Sequence, residues 1–219
     1  MNKKILIILI VLAVIAGGFF YWWLSQPIKI EEPEEKSQPP TLFAKEDYKI
    51  EEREDGKYII VEKVGLTAKV PEGWDIKIEG DNIPEPEYSI NLYSPDLATT
   101  TGNVLVKGCI LSIMAQKAEK AHQELMENIK LLEENPEEAT KLLQKDYVSF
   151  DKFKIIKIGD HYGLELVFAR ENAVMGGGKG INIPFEDYKI LSLGIGFPLA
   201  YKEICYREWE EFLKNIVIE

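Results

Sequence analysis

Apolar and polar residues fall along this chain in three regimes. From Ile5 to Leu24 the run "ILIILIVLAVIAGGFFYWWL" contains no charged residue; about 20 apolar residues in helical form match the hydrocarbon core of a bilayer. From Ser25 to Pro40, "SQPIKIEEPEEKSQPP" has few apolar positions and is rich in Pro, Glu, Lys and Ser, a composition that favours a stiff, extended, solvated spacer. Beyond it, apolar residues recur at intervals of two or of three to four, the periods of half-buried strands and amphipathic helices. The pattern divides the chain into an N-terminal membrane anchor (residues 1–24), a Pro/Glu-rich spacer (25–41) and a folded domain (42–219).

Within the domain, "YKIEEREDGKYIIVEKV" predicts a hairpin, with Tyr48 and Ile50 alternating with polar residues, Asp55-Gly56 at the turn and Tyr58 to Val64 as the return strand. Leu66 to Val70 and Asp75 to Ile78 flank Pro71-Glu72-Gly73, again strand, turn, strand. Trp74 follows that turn, and its expected role is structural, closing the end of a sheet core. Ile83 to Glu87 holds two prolines and predicts a loop. "YSINLYS" alternates as a half-exposed strand, whereas Val104 to Gln116 is apolar at both parities and predicts a central strand covered on both sides.

Ala118, Ala121, Leu125, Ile129 and Leu132 have helical spacing, and Asn135-Pro136 supplies an N-cap and first position for a second helix to about Gln144. Strand signals return at Phe153 to Ile158, His161 to Arg170 and Tyr188 to Phe197, the last two separated by a long connection, "ENAVMGGGKGINIPFED". The final segment places Tyr201, Ile204, Cys205, Trp209, Phe212, Leu213 and Ile216 on one helical stripe. Hairpin-linked strands with helices in the middle and at the end predict an α+β domain, an antiparallel sheet with helical cover. The order of "VGLTAKVPEGWDIKI", an "INLYSPD" strand, a central strand, a helical insertion, returning strands and a terminal "WEEFLKNIVI" helix resembles the PsbP-like family over most of Tyr58 to Glu219. That resemblance implies an α/β/α sandwich around an antiparallel sheet and a non-catalytic accessory or scaffold role at a membrane complex. It carries over no catalytic residue.

Lys3 and Lys4 precede the apolar run and "EEPEE" follows it, so the positive-inside bias puts the N-terminus in the cytoplasm and the domain outside a plasma (inner) membrane. Trp22 and Trp23, within "FFYWW", match an aromatic belt at the outer headgroup level. The competing reading is a cleaved signal peptide, with Val14-Ile15-Ala16 before Gly17 as its processing site. Without Lys3 and Lys4, the residues beyond the anchor carry 24 basic against 37 acidic groups, a net charge of −13. Such a domain repels phosphate backbones, which excludes nucleic acid as a natural partner. The expected partners are the membrane, through the N-terminal helix, and an unidentified protein.

The chemistry-bearing residues are sparse. "MGGGKGIN" invites a phosphate-loop reading, but it lacks the Walker spacing and a following helix, leaving a flexible hairpin tip or lid as the alternative. Only two His residues occur. Glu119 and His122 share a helix face, as in half of a di-iron pair or a solvated surface. His161 and Glu165 share the parity opposite to Tyr162, Leu164, Leu166 and Phe168. Cys109 and Cys205 both belong to packed surfaces and form a disulfide or two buried thiols. No nucleophile elbow, metal-ligand set or cofactor motif occurs. The expectation is a single-pass, membrane-anchored extracytoplasmic binding or scaffold module with no cofactor; the alternative is an extracytoplasmic hydrolase using carboxylates.

Overall fold

A computed structural model of the chain describes residues 40–80, 88–101, 104–146, 150–168 and 176–219. The expected anchor with Lys3, Lys4, Trp22 and Trp23, the spacer before residue 40 and the loop at Ile83 to Glu87 lie outside the described residues, as do 169–170 at the end of the strand expected from His161 and 171–175 of the long connection. Among the described residues no helix is long and apolar enough to cross a membrane.

The domain is α+β and its paired strands are antiparallel. The strands are β1 (Thr41–Leu42), β2 (Tyr48–Arg53), β3 (Gly56–Val61), β4 (Leu66–Lys69), β5 (Asp75–Gly80), β6 (Tyr88–Tyr93), β7 (Ala98–Thr99), β8 (Leu105–Lys107) and β9 (Ile110–Lys117). After helices α1 (Glu119–Glu134) and α2 (Pro136–Asp146) come β10 (Phe150–Ile158), β11 (His161–Phe168), β12 (Gly177–Pro184) and β13 (Lys189–Phe197); α3 (Lys202–Lys214) and β14 (Ile216–Ile218) end the chain. The large sheet runs β10-β11-β12-β13-β9-β6-β5, with β1 also pairing β9; a smaller sheet runs β14-β4-β3-β2, and β7 pairs β8.

Two apolar layers hold these parts together. Ile90 and Leu92 on β6, Leu111 and Ile113 on β9, and Leu191, Leu193 and Ile195 on β13 fill one face of the large sheet by strict alternation. They pack against Ile59, Val61 and Leu66 of the small sheet and Cys205, Trp209 and Phe212 of α3. On the opposite face, Leu125, Ile129 and Leu132 of α1 and Ala139 and Leu143 of α2 cover Phe153, Leu164, Leu166 and Ile190. Helices thus flank the large sheet on both faces, but on one of them α3 shares the space with a second sheet. Asn135 caps α2, its Oδ1 accepting the Glu138 N–H at 3.4 Å while its amide donates to Glu138 Oε2 at 2.7 Å.

Several elements depart from the pattern reading. Leu66–Lys69 and Asp75–Gly80 belong to different sheets, so the Pro71-Glu72-Gly73 turn is a crossover between layers, with Gly73 at φ 78°. The apolar stretch from Val104 is two strands, broken where Gly108 adopts φ 83°; a Cβ there would lie 2.4 Å from Ser94 Oγ. The glycine run is neither a tip nor a lid. It opens β12, which pairs with β11 and β13 in the middle of the large sheet. Ile216 is not helical: α3 ends before Asn215, and Ile216, Val217 and Ile218 pair with Ala68, Thr67 and Leu66 of β4.

Candidate functional site

The residues of β6, β9, β12 and β13 that pack against the small sheet and α3 share one parity, and the other parity, which also carries Met114 and Ile190, forms the reverse face of the large sheet. There Lys77, Asn91, Ser112, Gly194 and Gly180 stand opposite one another across five consecutive strands. Beside them lie Glu79 and Ser89 on β5 and β6, and Met114, Ser192 and Asn182 on β9, β13 and β12. Helices α1 and α2 cover the β10–β11 side of this face. The remainder is a polar trough with a concavity of about 400 Å³ lined by Glu79, Ser89, Asn91, Ser112, Met114, Ser192, Leu193 and Gly194. A second hollow of about 510 Å³ lies along Asp75, Lys77 and Tyr93 and reaches Gly73 and Pro95 at the crossover turn.

The side chains of the trough hold one another in place. Ser112 Oγ donates to Asn91 Oδ1 at 2.7 Å, the Asn91 amide donates to Glu79 Oε2 at 2.9 Å, and Ser192 Oγ donates to Asn182 Oδ1 at 2.8 Å. Tyr93 is tied to the same carboxylate: burial and a hydrogen bond to Glu79 push its phenol well above the ordinary tyrosine value. Lys77 Nζ lies 5.0 Å from the centre of the Tyr93 ring. Such an array of fixed hydroxyl, amide and carboxylate groups orients a polar ligand by hydrogen bonding. It contains no activated nucleophile.

Glycine forms much of the floor. At Gly178 the reason is steric, because a Cβ would lie 2.8 Å from the Ile195 carbonyl oxygen and 3.0 Å from the Phe168 ring; Gly177 has the parity of the packed face, where a Cβ would lie 2.7 Å from the Phe197 ring. At Gly180 and Gly194 a Cβ would meet only ordinary contacts, at 3.6 and 3.7 Å, and at Gly196 it would meet nothing within 4 Å.

The other residues singled out by the sequence do not converge. His122 Nε2 hydrogen-bonds to the Phe185 carbonyl at 2.7 Å and its ring meets Tyr188 edge-on, which fastens the start of α1 to the β12–β13 turn. His161 stacks on Phe185. Glu165, four residues along β11, is buried on the face shared with Ile181 and is paired with Lys154 at 3.0 Å. Among the described residues no group of three or more His, Cys, Asp or Glu side chains is arranged to hold a metal. Cys109 and Cys205 are bridged, with Cα atoms 5.7 Å apart, joining the start of β9 to the first turn of α3. Trp74 is 7% exposed within the core between the sheets, its backbone N–H donating to the Pro71 carbonyl at 3.2 Å.

Sequence reasoning passed over the trough, although "LSLGIGF" in β13 alternates Leu and Ile with Ser192, Gly194 and Gly196, the mark of one packed face and one bare face.

No protein-family model matches the chain, and no curated protein matches it significantly. Among solved structures it is similar to the solution structure of cyanobacterial PsbP (CyanoP) from Synechocystis sp. PCC 6803, with 7% identity and a TM-score of 0.41 over 79% of this chain and 93% of that chain. A likeness at this level concerns the course of the chain and lends nothing to function.

Proposed function

We propose that this chain is a single-pass, membrane-anchored binding or scaffold module with a PsbP-like domain held outside a plasma (inner) membrane, and that the trough on the large sheet is its binding face. The observation that carries the reading is the asymmetry of that sheet. One face of the central strands is packed, while on the other the described residues leave a trough of hydrogen-bonding and glycine residues drawn from five strands. The anchor rests on the charge-free run Ile5 to Leu24, with Lys3 and Lys4 before it and the acidic spacer after it. The element order from Tyr58 to Glu219 supports the PsbP-like domain. The carboxylate-hydrolase alternative gains no support from His161 and Glu165, since the first is stacked on Phe185 and the second is buried against Lys154.

The test compares full-length protein purified in detergent with a Gly194→Tyr variant, whose side chain fills the trough from a position with room for a Cβ. The wild type is expected to retain a bound partner or ligand that the variant loses at unchanged thermal stability. Equal retention by both would remove the trough from the account. Membrane fractions washed at alkaline pH test the anchor: full-length chain should stay with the lipid, and a mature chain beginning at Gly17 would contradict it.

A further inference from the structure

Resting on the reading of the trough as the binding face, we infer that its ligand is an uncharged saccharide chain. The first argument is the inventory of hydrogen-bonding groups. Ser112 and Ser192 have each donated their single hydroxyl proton, to Asn91 and Asn182, and so offer acceptor sites. Glu79 offers a carboxylate, and the Asn182 amide and Lys77 ammonium offer donors. Free acceptors on β5, β9 and β13 and free donors on β5 and β12 thus share one concave surface. Vicinal sugar hydroxyls, each at once donor and acceptor, satisfy such a surface. An anion would face the Glu79 carboxylate and a chain of net charge −11, while an apolar ligand would strip water from this network without replacing its bonds.

The glycine floor supplies the second, independent argument. Glycine inside a strand is destabilising by roughly 0.5–1 kcal/mol relative to alanine. Phe197 and Phe168 account for Gly177 and Gly178, but no neighbour requires glycine at Gly180, Gly194 or Gly196. Three such positions side by side on one open face mark a place where a ligand approaches the backbone closely. The Met114 thioether borders this floor and the Tyr93 ring stands two strands away across Ile110, apolar surfaces that accommodate the faces of pyranose rings while the surrounding amides and hydroxyls take their edges. From β5 to β12 there are four strand spacings, about 19 Å at 4.7–4.9 Å each, a length that favours a chain of sugar units over a single one.

The experiment displays the full-length protein in detergent on an array of neutral and anionic oligosaccharides and measures the strongest responder by calorimetry. The expected result is binding to neutral glycans, weakened about tenfold or more in Asn91→Leu and in Ser192→Ala, as for lost hydrogen bonds that leave a partner unsatisfied, and abolished in Gly194→Tyr. Val217→Ser, on the exposed small sheet, should bind as wild type, and thermal melts establish that every variant is folded. A silent array, a preference for anionic glycans, or binding indifferent to Gly194→Tyr would overturn the inference. If Gly194→Tyr still releases a co-purified protein partner while the array is silent, the saccharide assignment fails and the binding face stands. If the variant changes neither, both fail.

Discussion

Replacing Cys109 and Cys205 together by alanine tests how the terminal helix is held to the large sheet. The bridge spans 96 residues of chain, and constraining a loop of that size in the unfolded state contributes about 4.7 kcal/mol in the chain-entropy account. A domain of this size loses about 2–4 °C of melting temperature per kcal/mol, so the double variant should melt about 9–19 °C below the wild type. Both cysteines are buried, at 1% and 0% exposure, so reductant should act on the wild type only as the fold opens and should shift its transition toward that of the variant. The assay is thermal unfolding by circular dichroism with and without reductant, paired with alkylation of denatured protein and mass measurement. Equal melting temperatures, or a mass gain for two free thiols without reductant, would refute the reasoning.

Trp74→Ala should be destabilising by about 3–5 kcal/mol, as for other buried Trp truncations; an unchanged denaturation midpoint would mean that the ring does not close the core. Tyr48 donates to the Ala115 carbonyl at 3.4 Å and accepts the Ala115 N–H at 2.9 Å. Tyr48→Phe leaves that buried N–H unpaired and should be destabilising by about 1–3 kcal/mol in urea titrations, whereas a neutral result would show that the amide finds another partner. Hydrogen bonds from Lys69 and Tyr58 hold Asp55 at about 2, below its ordinary 3.8. A depressed carboxylate pKa adds stability above the unfolded value that is lost as pH falls through the folded one. Wild type should therefore exceed Asp55→Asn at pH 6, and the gap should close between about pH 4 and pH 2; a gap independent of pH would contradict the assignment.

The helices and the first hairpin were legible because their signals are local. Leu125, Ile129 and Leu132 share one face by spacing alone, and Asn135-Pro136 marks its own boundary. The elements that escaped depend on distant partners. β12 carries few apolar side chains of its own, and two of its glycines lie beneath the rings of Phe168 and Phe197, which no local pattern reports. Ile216 continues the helical stripe of α3 in sequence, yet pairing with β4 outweighs one more turn of helix. Pro71-Glu72-Gly73 looks the same whether it joins a hairpin or carries the chain between sheets. The candidate site was hidden for a related reason: Asn91, Ser112, Asn182 and Ser192 sit on four strands, and only the sheet order makes them neighbours.

The trough as the binding face is tested most directly by Gly194→Tyr in the full-length protein, with retained partner or ligand and melting temperature measured on the same sample. The account predicts a folded variant that has lost what the wild type carries. A folded variant that carries the same load would contradict it.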